Sequence, residues 1–401
     1  MVYGTPRAWG VNRGGACVPG TSSGPRPAAR ADRAHSTVHG RIGRAQGNDP
    51  TMRILILGAS YGSLLSTKAL MAGHDATLVC REATAKLINA EGTRVRLQLR
   101  DEPEPRTIES GPQPGRVDAA TPGDVDPAGY DLVALAMQEP QYGHDAVRDL
   151  MRRVAASGVP CLSIMNMPPP PYLRRIEALA SADLDAAFTD PELWKGFEPG
   201  LVSLCSPDPQ AFRPPDEPAN VLQVGLPTNF KAAAFADAAH TALLQELERD
   251  IAAVRLDDKE VPVKLRVHDS LFVPLAKWSM LLAGNYRCVT EDGSIPIREA
   301  VHGDLERSRE TYEWVDAVVR RLGADAADGV PFEKYAAAAE KLLKPSSAAR
   351  AIDAGATAIE RVDLLVQRIA AALDMRNDAV DATVARVGAR LEANAAASSG
   401  A

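Results

Sequence analysis

Two sets of residues in this chain have types and spacing suited to chemistry. The first is the turn Gly58-Ala59-Ser60-Tyr61-Gly62-Ser63, at the end of the apolar run MRILILG (52–58). A glycine-rich turn between a buried strand and a helix lets backbone amides and the helix N-terminus face a pyrophosphate. The usual pattern is G-x-G-x-x-G: a tight turn, a close approach to phosphate, and close packing of helix on strand. Gly58 supplies the first position. Ser60 and Ser63 stand at the second and third, unless the turn is one residue shorter and Gly62 serves instead. Arg81 belongs to the same set, directly after ATLVC (76–80). An NAD site places a carboxylate there for the ribose 2′-hydroxyl, whereas an arginine suits a 2′-phosphate, so the pattern points to NADP(H). Glu82, next in sequence, complicates that reading, and a solvated Arg81 is its plain alternative.

The second set is Lys277 and Asn285, in the apolar stretch VPLAKWSMLLAG (273–284) and its continuation. Burial of an ammonium lowers its pKa and favours proton donation to an alkoxide formed when hydride adds to a carbonyl. Eight residues on a regular helix separate the two by about 12 Å on one broad face, so they could bracket a substrate without touching. The plainer alternatives are a lysine snorkelling to solvent and an asparagine that ends its helix.

The surrounding pattern says what must position these groups. From Met52 the grammar is β-α-β: a strand, a helix over 63–72 stopped by Gly73, a strand over 76–80, a helix over 83–91, and an alternating, edge-like strand over 93–99. Residues 101–129, rich in Pro, Gly and Asp, read as loops. Strands at 131–137 and 160–166 flank a helix over 143–157, and 201–205 and 220–226 look like further strands. Alternating strands and helices imply a mostly parallel sheet. After about residue 235 the pattern turns helical: 235–252, 268–285, 303–322, 331–343, 346–373 and 377–393. The expected architecture is an α/β Rossmann-type dinucleotide-binding domain (52–255), an all-α C-terminal domain (256–395) and a short tail (396–401). Residues 1–51 show no period and carry only Asp32 and Asp49 as acids. They read as a disordered extension, either an over-long start before Met52 or an Arg-rich transit segment.

Bulk properties narrow the function classes. The net charge of −7 and the lack of a basic block in the folded part argue against nucleic-acid binding. No uninterrupted apolar run is long enough to span a membrane. The five scattered cysteines, with no C-x-x-C pair, suit reduced thiols in a cytoplasmic protein, and the histidines form no zinc-binding pattern.

With these motifs in place, residues 52–395 resemble the ketopantoate reductase family. The likeness runs through MRILILG, GASYGS, the helix to Ala72, Gly73-His74, ATLVC, Arg81, the helix to Glu91, Gly92 and RVRLQL. DLVALAMQEPQ (131–141) resembles the next family strand, with Met137 or Gln138 where a lysine is usual. SIMN (163–166) resembles the strand whose asparagine lies near the nicotinamide, here Asn166, although Met167 and four prolines replace the following glycine. Lys277 and Asn285 match the family lysine and its second asparagine; the first asparagine is Leu281, and the family tryptophan is Leu275, with Trp278 nearby. Ser346-Ser347 and Glu360 resemble the serine pair and the acid, with Asp363 as the alternative acid.

The resemblance implies an NADPH-dependent reductase of a 2-oxo acid. In it Lys277 is the general acid, Asn285 and Glu360 are catalytic, and Asn285, Ser347 and Glu360 contact the substrate. Gly58, Ser60, Tyr61, Gly62, Ser63, Arg81 and Asn166 would hold the cofactor. The plain alternatives are a helix-capping Ser347 and an exposed Glu360. The proline run and Leu281 replace polar family groups, which favours a more apolar 2-oxo acid than ketopantoate. Other functions open to the chain are an opine-dehydrogenase-like imine reductase and a non-catalytic NADPH-binding protein. The expected partner is a small 2-oxo acid, with neither nucleic acid nor membrane, and a homodimer is one assembly open to it.

Overall fold

A computed structural model of the protein describes residues 51–399; the expectation for the N-terminal segment, Thr51 apart, lies outside them. The strands in chain order are β1 (Arg53–Leu57), β2 (Asp75–Val79), β3 (Arg94–Leu97), β4 (Arg106–Glu109), β5 (Val117–Ala120), β6 (Leu132–Leu135), β7 (Cys161–Ile164), β8 (Val202–Ser206), β9 (Gln210–Phe212), β10 (Val221–Leu226), β11 (Phe230–Ala233), β12 (Arg255–Leu256), β13 (Lys259–Glu260) and β14 (Leu265–His268). Eight of them form the main sheet in the order β14-β11-β8-β7-β6-β1-β2-β5. The run from β8 to β5 is parallel throughout, while β11 lies antiparallel to β8. The inner strands β6, β7 and β8 are buried at every position, which is why LVAL, CLSI and VSLCS read as continuous apolar runs.

The helices are α1 (Gly62–Met71), α2 (Glu82–Glu91), α3 (Asp145–Ser157), α4 (Pro170–Leu173), α5 (Ala238–Ala253), α6 (Lys277–Met280), α7 (Ile297–His302), α8 (Leu305–Arg321), α9 (Phe332–Ala339), α10 (Ser347–Asp353), α11 (Val362–Ala372) and α12 (Asp378–Ser399). The fold is thus a Rossmann-type α/β domain followed by a helical C-terminal region. Successive residues of each inner strand face opposite sides, and the two sides feed different cores. Ile54, Ile56, Leu132 and Ala134 pack with α1 and α5. Leu55, Leu57, Val133 and Leu135 join one continuous core with Leu275, Trp278, Val315, Leu365 and Ile369 of the helical region. The helical region is therefore set against the sheet by shared apolar burial, the term that dominates such packing.

Several local expectations change. The 93–99 strand is not at an edge: β3 is an inner strand of a second sheet, ordered β4-β3-β10-β9. That sheet and α5 cover α1, so Gly62–Leu70 are buried on every side and the helix has no exposed face there. The 101–129 stretch contains β4 and β5, whose four-residue length is too short for a visible period. The helical pattern after residue 235 is interrupted by β12, β13 and β14, the last of which closes the main sheet past residue 255. The 346–373 helix is broken. Gly355, at φ +86°, ends α10 in a Schellman motif, with Ala356 N–H donating to Ala351 O and Gly355 N–H to Ile352 O, each at 2.9 Å.

Candidate active site

The order reversal beside β1 locates the site. β1 lies between β2 on one side and β6 on the other, and ligands of open α/β sheets bind where the strand order reverses, beyond the strands' carboxyl ends. Gly58 sits at that point with φ +107°, and a Cβ there would lie 2.7 Å from Met137 Cγ and 2.8 Å from Ala136 O. Gly62 takes the third-glycine role: its Cβ would lie 2.5 Å from Ile56 Cγ2, so its absence lets α1 press on β1. Ser63 instead donates its hydroxyl to Ala59 O and is buried. No side chain caps α1 and no acid occupies its first turn, so although Ser63 and Leu64 N–H donate to Ser60 O and Tyr61 O, the positive end of the helix dipole is open to an outside anion. These features fit a dinucleotide pyrophosphate. Ser60 is half-buried in the turn. The Tyr61 side chain turns away into the core, where its hydroxyl donates to Pro209 O at 2.7 Å and its ring meets Phe230 edge-on.

Arg81 is exposed where β2 passes into α2. Its neighbour Glu82 pairs with Lys86 at 2.6 Å on an exposed helix face, one helical turn on. A second guanidinium, Arg213, comes to the same corner; burial lowers its pKa, the Cys80 thiol opposes that, and Arg81 adds to it. Sequence reasoning missed Arg213 because it follows β9, a three-residue strand in a segment with no readable period.

Deeper along the same edge, three distant segments converge. Asn166 follows β7, and its Nδ2 donates to Glu360 Oε2 at 3.1 Å. Glu360 lies in the break between α10 and α11 and is 3% exposed, so it is neither helical nor a surface charge. Tyr286 Oη donates to the Glu360 carbonyl and accepts from Val362 N at 3.1 Å, which fixes the turn that delivers the acid. Burial raises the Glu360 pKa to about 7, with the Asn166 hydrogen bond and Lys277 opposing and the Glu139 charge assisting. Trp278, next to Lys277, donates from Nε1 to Asn166 O at 3.3 Å. Lys277 thus opens α6 beside the Asn166–Glu360 pair. Burial lowers its pKa, while Asp208 and Glu360 pull the other way. Its Nζ donates to Pro207 O at 2.7 Å and lies 3.5 Å from Asp208 Oδ1.

Asp208 was not singled out from sequence, although a Pro-Asp-Pro step straight after the apolar LVSLCS run marks a carboxylate at a strand's carboxyl end. Glu139 was missed as well. It is buried and accepts from Thr189 N at 2.9 Å and Thr189 Oγ1 at 2.8 Å, tying the loop after β6 to the segment between α4 and β8.

The other expected residues sit differently. The Lys277–Asn285 stretch is not one regular α-helix: a π-helical turn over Leu281–Asn285 follows α6, so the 3.6-residue period does not set their spacing. Gly284 permits that turn to approach Tyr335, whose hydroxyl would be 2.0 Å from a Cβ there. The Asn285 carbonyl accepts from Ser346 Oγ at 2.7 Å, and Ser346, not Ser347, caps α10. Ser347 is half-buried and receives an Arg350 contact at 3.4 Å. Asp363 is fully buried in an ion pair with Arg361 at 2.9 Å, which leaves Glu360 as the acid facing Asn166. After Asn166, Met167 is in the core and the proline run passes directly into α4.

No family model and no curated protein matches the sequence. Solved structures do match. A ketopantoate reductase from Ralstonia eutropha JMP134 is 20% identical, with a TM-score of 0.56 over 86% of this chain and 99% of its own. A dimeric ketopantoate reductase from Staphylococcus aureus is 11% identical, with a TM-score of 0.56 over 86% of this chain and 100% of its own. D-mandelate dehydrogenase, in a ternary structure with NADH and anilino(oxo)acetate, is 12% identical, with a TM-score of 0.58 over 86% and 99%. At these identities the likeness is one of fold.

Proposed function

We propose that the chain is an NADPH-dependent reductase of a 2-oxo acid. The observation that carries this reading is the Asn166–Glu360 hydrogen bond on the sheet edge that also bears the Gly58 turn, with Lys277 near enough for its charge to act on Glu360 and its neighbour Trp278 bonded to Asn166 O. The reduced nicotinamide, when bound, supplies hydride to the carbonyl carbon. Lys277 donates a proton to the oxygen as charge develops there, helped by partial burial that weakens its hold on that proton. Asn166 holds Glu360, and Glu360, titrating near neutrality, is matched to returning a proton to the site. Gly58 and Gly62 place the α1 amides against the pyrophosphate, and Arg81 with Arg213 supplies cations for a 2′-phosphate.

An apolar side chain on the substrate suits this site better than the hydroxylated chain of ketopantoate, because Leu281 stands where the resembled family has an asparagine and offers no hydrogen bond. The aromatic 2-oxo acid analogue bound by the D-mandelate dehydrogenase of like fold is of that kind. A homodimer is also expected, as in the Staphylococcus aureus relative. The test is NADPH and NADH oxidation by the purified chain against a panel of 2-oxo acids, with and without ammonia. Reduction of apolar 2-oxo acids with NADPH preferred supports the reading. Turnover only with ammonia points to imine reduction, and cofactor binding without any turnover points to a non-catalytic protein.

A further inference from the structure

One carboxylate serves two lysines at this site. Asp208 follows β8, with Oδ2 at 3.2 Å from Lys231 Nζ and Oδ1 at 3.5 Å from Lys277 Nζ. Ser206 donates its hydroxyl to the same carboxylate. Burial alone would raise the Asp208 pKa, but the two lysines and Ser206 hold it below its ordinary value. Asp208 is 19% exposed, Lys277 22% and Lys231 35%, so all three are partly desolvated while Lys231 still reaches solvent. Lys231 is the second residue of β11 and lies opposite Ser206 across the antiparallel β8–β11 pair, which puts it on the sheet edge of Asn166 and the Gly58 turn. Among the described residues it has no second carboxylate within ion-pair distance.

Two ammonium groups against one aspartate leave a positive charge in excess. Glu360, the other acid that Lys277 senses, is partly protonated near neutrality. The chemistry of a 2-oxo acid matches this arrangement. Its carboxylate and its carbonyl are on adjacent carbons, so the cation that binds the first and the cation that protonates the second must be neighbours. We propose that Lys231 takes the substrate carboxylate, with Asp208 as the shared counter-ion that holds Lys231 and Lys277 in register. The site then selects 2-oxo acids over neutral ketones and aldehydes. This rests on the reading of Lys277 as proton donor.

Oxamate, a non-reducible 2-oxo acid analogue, is titrated calorimetrically into the NADPH-loaded full chain and into its Lys231→Gln and Lys231→Arg variants. Loss of a charge-assisted contact should weaken oxamate binding about tenfold or more in the Gln variant, and the Arg variant should recover most of it. The Kd for NADPH should be unchanged. With a reducible acid, KM should rise in the Gln variant while kcat stays within about threefold, the pattern of lost uniform binding. Unchanged oxamate binding in Lys231→Gln overturns the assignment and leaves the reductase reading standing. No oxamate binding by a wild type that binds NADPH overturns both. If Lys231→Gln does not fold, Lys231→Met, which keeps the aliphatic stem, replaces it under the same readouts: a loss of oxamate affinity of about tenfold or more supports the assignment, and unchanged binding overturns it.

Discussion

Asn166 Nδ2 donates to Glu360 Oε2 at 3.1 Å, across 194 residues of sequence. The bond joins the carboxyl end of a central strand to a break between two helices of the C-terminal region. Because Tyr286 also holds the Glu360 carbonyl, the acid has little freedom to leave. A carboxyl group so placed must affect both stability and its neighbours' proton affinities.

The first prediction concerns that acid. The folded-state pKa of Glu360 is about 7, above the ordinary 4.5. Between those values the native state keeps a proton that the unfolded state has released, so stability falls as pH rises through this window and levels off above it. Glu360→Gln retains an acceptor for Asn166 and removes the ionisation. The wild type should lose about 2–3 kcal/mol relative to the variant between about pH 5 and pH 8. Urea midpoints at the two pH values measure this, and parallel pH dependences would contradict it.

Lys277→Met preserves most of the apolar volume and removes the ammonium. The turnover number should fall about 10²–10⁴-fold, the range for a lost general acid. Cofactor affinity, followed by fluorescence titration, should hold, because the glycine turn proposed to take the phosphates lies at β1. Full turnover in the variant would remove Lys277 from the chemistry.

Arg81→Ala should weaken NADPH binding by about 1.5–3 kcal/mol, the scale of a hydrogen bond to a charged group, and leave NADH nearly unchanged. Arg213→Ala should act in the same direction, since the two guanidinium groups share one corner. Equal losses for both cofactors would argue that these arginines only support the fold.

Gly58→Ala introduces a Cβ 2.8 Å from a backbone oxygen at a φ of +107°. The expected loss is about 1–3 kcal/mol of stability, with weakened binding of either dinucleotide. Gly123→Ala is the control, as its Cβ would meet nothing within 4 Å. Matching melting temperatures for the two variants would show that the turn tolerates a side chain.

Much of the scaffold was legible from local chemistry. RILIL, LVAL and CLSI announce buried parallel strands because an inner strand needs apolar residues on both faces. Gly73 after LLSTKALMA announces a helix end because its φ of +89° suits glycine. Gly355 carries the same signal, yet 346–373 reads as one helix, because α11 resumes the apolar period just after the break. β4, β5 and β14 escaped notice because four residues are too few to display alternation.

The chemical inventory of the site belongs to the sequence: a glycine turn that suits phosphate, an arginine after the second strand, an apolar lysine and a short choice of acids. Its arrangement does not, because it depends on groups brought together across long stretches of chain. Glu360 and Asp363 are indistinguishable as letters three residues apart; burial beside Arg361 consumes one, and the helix break turns the other toward Asn166. Lys231 carries no motif at all, and the Pro-Asp-Pro step at Asp208 says nothing of its partners. The two acquire a role only because β8 and β11 pair antiparallel, setting Lys231 opposite Ser206 and both lysines within reach of one carboxylate. Local preferences act over a few residues, whereas electrostatic pairing acts between whatever the packed cores bring within a few ångströms.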